Sequence, residues 1–270
     1  MSHRPVALIT GASAGIGEAL ARQFAQAGYD LVLAARRKGR LESLAKALAE
    51  LTNDACVAYP VPVNLARSKG PAELVRAIDD LGLEVDVLVN NAGVAESGRF
   101  ISAARKPVND LVNLNVRALT ELSLIFGQRM AGRGAGRILN VASIVAFQPV
   151  PSMAVYAASK AYVLSLTESL AEELRGSGVT CTALCPGLTK TEMVDDLVPS
   201  EFEPLSSLAM ADVDSVARAG LRACLRGETI TIPGMLNQAF VNWTQFQPRW
   251  SYRLWSGMFA RMSFASEQRR

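Results

Sequence analysis

Short apolar runs alternate with longer stretches of helical period along this chain. Val6–Thr10, Leu31–Ala34, Ala55–Val63, Val85–Val89, Arg137–Val141, Val179–Leu184 and Thr229–Ile232 predict strands. Between them, apolar residues recur every three or four positions. Leu20 and Phe24 mark a helix from about Ile16 to Ala27, stopped by Gly28, and Leu41, Leu44, Leu48 and Leu51 mark another over 41–51. Further helices are predicted over Pro71–Leu81, about Pro107–Met130, Tyr156–Arg175 and Val213–Leu225; the first opens on proline and the third closes before Gly176. The strands are apolar throughout, not alternating, which places them in a parallel sheet covered on both faces. Strand–helix repetition with short connections predicts one α/β domain, a doubly wound parallel sheet of about seven strands over residues 1–232. Residues 233–270 form a helical C-terminal extension in this reading, and all three tryptophans lie there. In a doubly wound sheet, ligands bind beyond the carboxyl ends of the strands.

Composition changes this picture little. Half of the 270 residues are apolar and a fifth are charged, an ordinary globular balance. The net charge of +3 is small, and the basic residues are scattered beside Glu and Asp, so nucleic acid is not expected as a partner. Four cysteines (Cys56, Cys181, Cys185 and Cys224) form no C-x-x-C pair, and His3 is the sole histidine, so no metal site is expected. The cysteines sit in apolar stretches and suit a reducing compartment. The first apolar run is too short for a signal sequence and no run reaches membrane-spanning length, so a cytoplasmic protein is expected.

The first strand leads into Thr10-Gly11-Ala12-Ser13-Ala14-Gly15-Ile16-Gly17, which opens a helix directly. Glycines allow a tight turn and a close backbone approach to a bulky anion, and a helix N-terminus offers free N–H groups and partial positive charge to a pyrophosphate. Glycine turns also simply join strands to helices; placement after strand one favours the nucleotide reading. The second strand ends Ala34-Ala35-Arg36-Arg37, with no carboxylate to meet a ribose 2′-hydroxyl. Two guanidinium groups stand there, suited to a 2′-phosphate, although surface charge alone is the other reading. NADP(H) is the cofactor expected on these residues.

Tyr156-Ala157-Ala158-Ser159-Lys160 opens a helix, and residues four apart share one face, so Tyr156 and Lys160 can flank one ligand. Ser143 lies at the end of the fifth strand, on the ligand edge. Any Tyr-x-x-x-Lys is weak alone. Together the three suit proton transfer to a carbonyl oxygen: an ammonium lowers a phenol's pKa, and a hydroxyl donates to the same oxygen.

The T-G-x-x-x-G-x-G spacing of Thr10–Gly17 resembles the classical short-chain dehydrogenase/reductase family, and the resemblance covers about Val6 to Ile232. It implies a Rossmann-type fold and a nicotinamide-dependent interconversion of a carbonyl and an alcohol. It assigns cofactor contacts to Gly11, Ser13, Ala14, Gly15, Ile16 and Gly17, and puts Ala35 where NAD-preferring members carry Asp. Asn64 and Leu65 stand near the adenine, Asn64 replacing the usual Asp. Asn90, Ala92 and Gly93 fall in the segment Asn90-Asn91-Ala92-Gly93, similar to a family motif bordering the cofactor. Pro186, Gly187, Leu188 and Thr191 match a segment that holds the carboxamide. The resemblance adds Asn115 to Ser143, Tyr156 and Lys160 as a catalytic residue, holding a water that links Lys160 to solvent.

By the same resemblance, Ile144, Val145, Phe147, Met193, Val194 and Leu197 line a substrate pocket, and their character favours an apolar ketone, aldehyde or secondary alcohol. The expected assembly is a homo-dimer or homo-tetramer. In the extension, Leu236, Phe240, Trp243 and Phe246 recur at helical spacing, then Trp250, Leu254 and Met258, with Arg249, Arg253 and Arg261 nearby. Three readings stay open for it: packing as core or subunit contact, a lid over substrate, or a membrane-surface helix. Two rival functions are a membrane-associated reductase of a lipid-like ketone and a non-catalytic NADP-sensing protein.

Overall fold

A computed structural model describes residues 4–192 and 210–247. Seven strands form one parallel sheet in the order β3-β2-β1-β4-β5-β6-β7. They are β1 (Val6–Thr10), β2 (Asp30–Ala35), β3 (Ala58–Pro62), β4 (Val87–Asn90), β5 (Gly136–Val141), β6 (Val179–Leu184) and β7 (Ile230–Thr231). The described helices are α1 (Gly15–Gln26), α2 (Lys38–Leu51), α3 (Gly70–Asp80), α4 (Arg105–Val112), α5 (Leu119–Arg133), α6 (Ala154–Glu173), α7 (Val213–Arg226) and α8 (Met235–Phe246).

The strands are apolar at every position because both sheet faces are covered. On β1, Ala7 and Ile9 pack with Leu20 and Phe24 of α1 and with Leu41 and Leu48 of α2. Val6 and Leu8, pointing the other way, pack with Leu74 and Ile78 of α3 and with Phe126 and Met130 of α5. Phe24 and Phe126 are fully buried, and each such ring stabilises the fold by about 1.5–3 kcal/mol. The Rossmann-type architecture expected from the sequence is therefore the one observed.

The strand order reverses between β1 and β4, so the crevice beyond their carboxyl ends is where a ligand fits. Three boundaries differ from the sequence expectation for identifiable reasons. β3 begins at Ala58, not Ala55, and carries Pro60 and Pro62; it is an edge strand, where a missing donor is tolerated. β4 runs to Asn90, whose register partner is Asn140 on β5. The helix expected over 107–130 is interrupted: α4 and α5 are joined by a π-helical turn, Asn113–Ala118. No helix among the described residues is long and apolar enough to cross a membrane. The described part of the extension, α8, packs on the short 3-10 turn Ile144–Phe147 that follows Ser143.

Candidate active site

A cleft of about 770 Å³ opens beyond the ends of β1, β2, β4, β5 and β6. Its floor is the glycine turn. Gly11 has φ +68 and Gly15 φ +57, backbone that L side chains rarely adopt. A Cβ on Gly17 would lie 2.3 Å from the Gly11 carbonyl oxygen, so Gly17 lets α1 start tight against the turn; it does not line the cleft. No side chain caps α1, leaving its first amides directed at the cleft. The turn is tied to β4 by Thr10, whose Oγ1 donates to the Val89 carbonyl (3.1 Å) and accepts from the Asn91 and Ala92 amides (both 3.0 Å). Asn91 Nδ2 donates back to the Thr10 carbonyl at 2.9 Å. Ser13, Ala14, Ile16, Leu65, Ala92 and Gly93 all line the cleft.

At the rim, Arg36 and Arg37 both face the cleft but differ. Arg36 is exposed and makes no ion pair among the described residues. Arg37 is committed: its Nη2 and Nε donate to Ser13 Oγ (3.1 and 3.2 Å), and its Nη1 meets Glu192 at 2.9 Å. Arg40 meets the other Glu192 oxygen at 2.5 Å. The two guanidinium groups hold the Glu192 carboxyl below the usual carboxylate range. Glu192 follows Thr191, so this bridge joins the segment after β6 to the start of α2. Asn64 Oδ1 accepts from the Ala66 amide at 3.1 Å, which makes it a turn-forming group as well as a cleft wall.

At the other end, Ser143, Tyr156 and Lys160 converge on the cleft. Ser143 caps the 3-10 turn, accepting from the Val145 amide at 3.3 Å. Lys160 is buried on α6; its Nζ donates to the Val141 carbonyl (2.7 Å) and lies 5.7 Å from the centre of the Tyr156 ring. Burial pulls the Lys160 ammonium down to about 8, opposed by the neighbouring Cys185 sulfur. Burial raises the Tyr156 pKa above the ordinary phenol range, and a Ser143 hydrogen bond opposes it. Desolvation wins because the phenolate would be buried beside few donors.

Asn115 lies in the π-helical turn, and a polar residue in that apolar stretch now has a reason. Its Oδ1 accepts from the Val94 amide (3.0 Å), and its Nδ2 donates to the Val94 carbonyl (2.9 Å) and to Ser159 Oγ (3.2 Å). It fastens the strand exit after β4 to α6 and does not line the cleft. A Cβ on Gly93 would lie 3.3 Å from Asn115 Oδ1 and 3.7 Å from Lys160 Nζ, so the three crowd one spot.

Several expected contacts fall elsewhere. Asn90 is buried behind the cleft, donating to Ser123 Oγ and Asn140 Oδ1, both at 2.9 Å. Asn140 Nδ2 in turn donates to Thr167 Oγ1 on α6 at 2.9 Å. Pro186, Gly187 and Thr191 line the cleft; the Leu188 side chain is exposed, and the expectation at Leu188 concerned its backbone. Ile144, Val145 and Phe147 do not form its wall; Phe147 packs instead against the small core cluster that includes Val163 and Ala183. Met193, Val194 and Leu197 lie outside the described residues. Val94, Ala95 and Leu114 add apolar surface to the cleft wall, which sequence reasoning missed. Leu114 beside Asn115 was the available signal.

The uncapped helix start, the positive-φ glycines and Arg36, which pairs with none of the described residues, fit a dinucleotide, and the hydroxyl–phenol–ammonium set fits proton transfer at its far end. The short chain dehydrogenase family profile matches residues 5–201. A 3alpha-hydroxysteroid dehydrogenase of Mediterraneibacter gnavus is 34% identical over 205 residues, 76% of this chain and 82% of that protein. A short-chain dehydrogenase from Sphingobium yanoikuyae, solved in complex with NADPH, superposes with a TM-score of 0.76 at 33% identity over 91% of this chain and 97% of that one. A short-chain dehydrogenase/reductase from Burkholderia phymatum, solved with NAD, gives 0.76 at 27% identity over 88% and 92%. On the match of profile, sheet order and cleft together, this chain is an oxidoreductase belonging to the short-chain dehydrogenase/reductase family.

Proposed function

We propose that this protein is an NADP(H)-dependent reductase of an apolar carbonyl compound, with Tyr156 as its general acid. The observation that carries this reading is the convergence of Ser143, Tyr156 and Lys160 at one end of a cleft whose other end holds the uncapped start of α1 and Arg36. When bound, the dinucleotide supplies hydride to the carbonyl carbon. Tyr156 Oη gives a proton to the carbonyl oxygen, and Ser143 Oγ donates a hydrogen bond to the same oxygen. The phenol, raised by burial, is fully protonated at neutral pH, which suits reduction. The Lys160 ammonium, below pH 8 still charged, stabilises the phenolate left behind.

The preference for the phosphorylated cofactor rests on Ala35, which offers no carboxylate, and on Arg36, which has no competing partner among the described residues. NADPH in the Sphingobium relative supports it; NAD in the Burkholderia relative is the alternative outcome. Val94, Ala95 and Leu114 suit an apolar substrate, as does the steroid in the name of the Mediterraneibacter relative. Four buried, free cysteines, three of them pushed up to about 12 by burial, suit a reducing cytoplasm. A homo-oligomer is the expected assembly, since Leu124 on α5 and Tyr162 on α6 are exposed on the body.

The test is Tyr156→Phe, assayed by NADPH consumption over a panel of apolar ketones. Turnover falls by about 10³-fold while NADPH binding, read by fluorescence, is retained. A phenylalanine variant as active as the parent protein overturns the assignment.

A further inference from the structure

The π-helical turn Asn113–Ala118 carries Arg117 two residues after Asn115. This partly buried side chain uses every N–H of its guanidinium. Its Nε donates to Asn113 Oδ1 at 3.2 Å, and its Nη1 to Glu121 Oε1 at 3.0 Å and to the Ser68 carbonyl at 3.1 Å. Its Nη2 donates to the carbonyls of Arg67 (2.9 Å) and Ala66 (3.3 Å). Three of the five acceptors are therefore consecutive backbone carbonyls, 49 to 51 residues away in the chain. The pair with Glu121 is an ordinary helix-surface contact and is worth little. Three charge-assisted bonds to one stretch of backbone instead fix the shape of that stretch.

Those carbonyls belong to a turn that walls the cleft. The Val63 amide donates to the Ala35 carbonyl at 2.9 Å, so the chain leaves β3 beside Arg36. Asn64, Leu65, Ala66 and Arg67 then line the cleft. The Ala66 amide donates to Asn64 Oδ1 (3.1 Å), the Arg67 amide to the Asn64 carbonyl (3.2 Å) and the Gly70 amide to the Arg67 carbonyl (3.0 Å). These bonds close the turn on itself, whereas Arg117 ties it to the helix layer. Asn115 holds the Val94 backbone in the same manner, and Val94 also lines the cleft. Residues two apart leave a helix on different sides. One helical turn thus grips both the exit of β3 and the exit of β4.

We propose that Arg117 is a positioning residue for the dinucleotide. By holding the carbonyls of Ala66, Arg67 and Ser68, it fixes the wall against which the adenine end of the cofactor packs. This rests on the nucleotide reading of the cleft. Arg117 itself stands behind the wall and does not line the cleft, so it acts through the backbone that it holds. A wall formed in advance spares the cofactor the cost of ordering it. The gain is the same with or without a 2′-phosphate, which separates Arg117 from Arg36 at the rim.

Arg117→Met keeps the aliphatic stem and removes all five bonds. In fluorescence titrations it binds NADPH and NADH alike about tenfold more weakly than the parent protein. The cofactor KM rises by the same factor while kcat at saturating NADPH stays within about twofold, because the lost interaction acts on binding alone. Amide hydrogen exchange accelerates over residues 64–70, and saturating NADPH slows it again. Arg117→Lys keeps the charge without the planar fork and weakens both cofactors by only about threefold. Glu121→Gln removes the ion pair, leaves the carbonyls held and changes neither affinity. A methionine variant that binds both cofactors as tightly as the parent overturns the proposal. So does a loss confined to NADPH, or a fall in kcat with cofactor KM unchanged, the mark of a merely structural role. Should the methionine chain not fold, unchanged affinities in the lysine variant overturn it equally. A parent protein that binds neither cofactor overturns the nucleotide reading itself; the two failures are distinguishable because binding is read without turnover.

Discussion

The two ends of the cleft hold their charged groups in opposite ways. At the reacting end, Lys160 is buried and hydrogen-bonded to the Val141 carbonyl, and the helix that carries it is pinned through Thr167 to Asn140 and through Ser159 to Asn115. At the rim, Arg36, Arg37, Arg40 and Glu192 are all exposed, and their ion pairs sit in water. Buried polar groups have fixed geometry because losing a partner leaves them unsatisfied, whereas exposed pairs exchange freely with solvent. The Ser143–Tyr156–Lys160 end is therefore held where polar groups cannot move, and the rim where they can be exchanged without disturbing the fold.

Substitutions at each end sharpen this contrast, beginning with the largest effect. Lys160→Met removes the only buried ammonium of the site, and turnover falls by about 10²–10⁴-fold. Stability moves the other way. An unfolded lysine keeps its proton to about 10.5, but folded Lys160 releases it near 8, so the buried charge opposes folding below pH 8 and that penalty fades between pH 8 and 10.5. The methionine variant is thus more stable at pH 7 by about 1–2 kcal/mol, the full shift being offset by the lost bond to Val141. Urea denaturation at pH 7 and pH 10 checks both the sign and its disappearance.

Asn140→Leu breaks the contrast from the structural side. It leaves one Asn90 Nδ2 hydrogen without its acceptor and Thr167 Oγ1 without its donor in the core, and destabilises by about 2–4 kcal/mol. A loss under about 0.5 kcal/mol in chemical denaturation would mean the buried network does not hold α6. At the rim the effects are smaller and fall on the cofactor. Arg36→Ala weakens NADPH by about tenfold and leaves NADH nearly unchanged, measured by fluorescence titration; an equal loss for both sinks the 2′-phosphate assignment. Glu192→Gln is the mildest. It frees Arg37 and Arg40, so NADPH binds a few-fold tighter, most visibly at low salt, with no resolvable change in melting temperature.

Much of this was legible from chain neighbours alone. Strands apolar at every position identified a sheet covered on both faces, and Ile9 and Leu8 indeed face different cores. The glycine spacing after β1 and the Ala35-Arg36 pair at the end of β2 both fall on the cleft. What the sequence did not show were bonds to distant partners. Asn115 entered by the family motif, but its link to Val94, 21 residues away, which fastens the β4 exit, was not legible. Ile144, Val145 and Phe147 adjoin Ser143 in sequence, but the 3-10 turn carries them away from the cleft wall.

The order of elements, the nucleotide turn, the paired Tyr156 and Lys160 and the basic aromatic tail were determined by the sequence itself, because each depends on a local period or spacing. The raised phenol of Tyr156, the lowered ammonium of Lys160, the split between Arg37, held by Ser13 and Glu192, and Arg36, which pairs with none of the described residues, and the outward face of α8 were decided only by tertiary structure. Burial and long-range hydrogen bonds set those properties, and both depend on which segments the fold brings together.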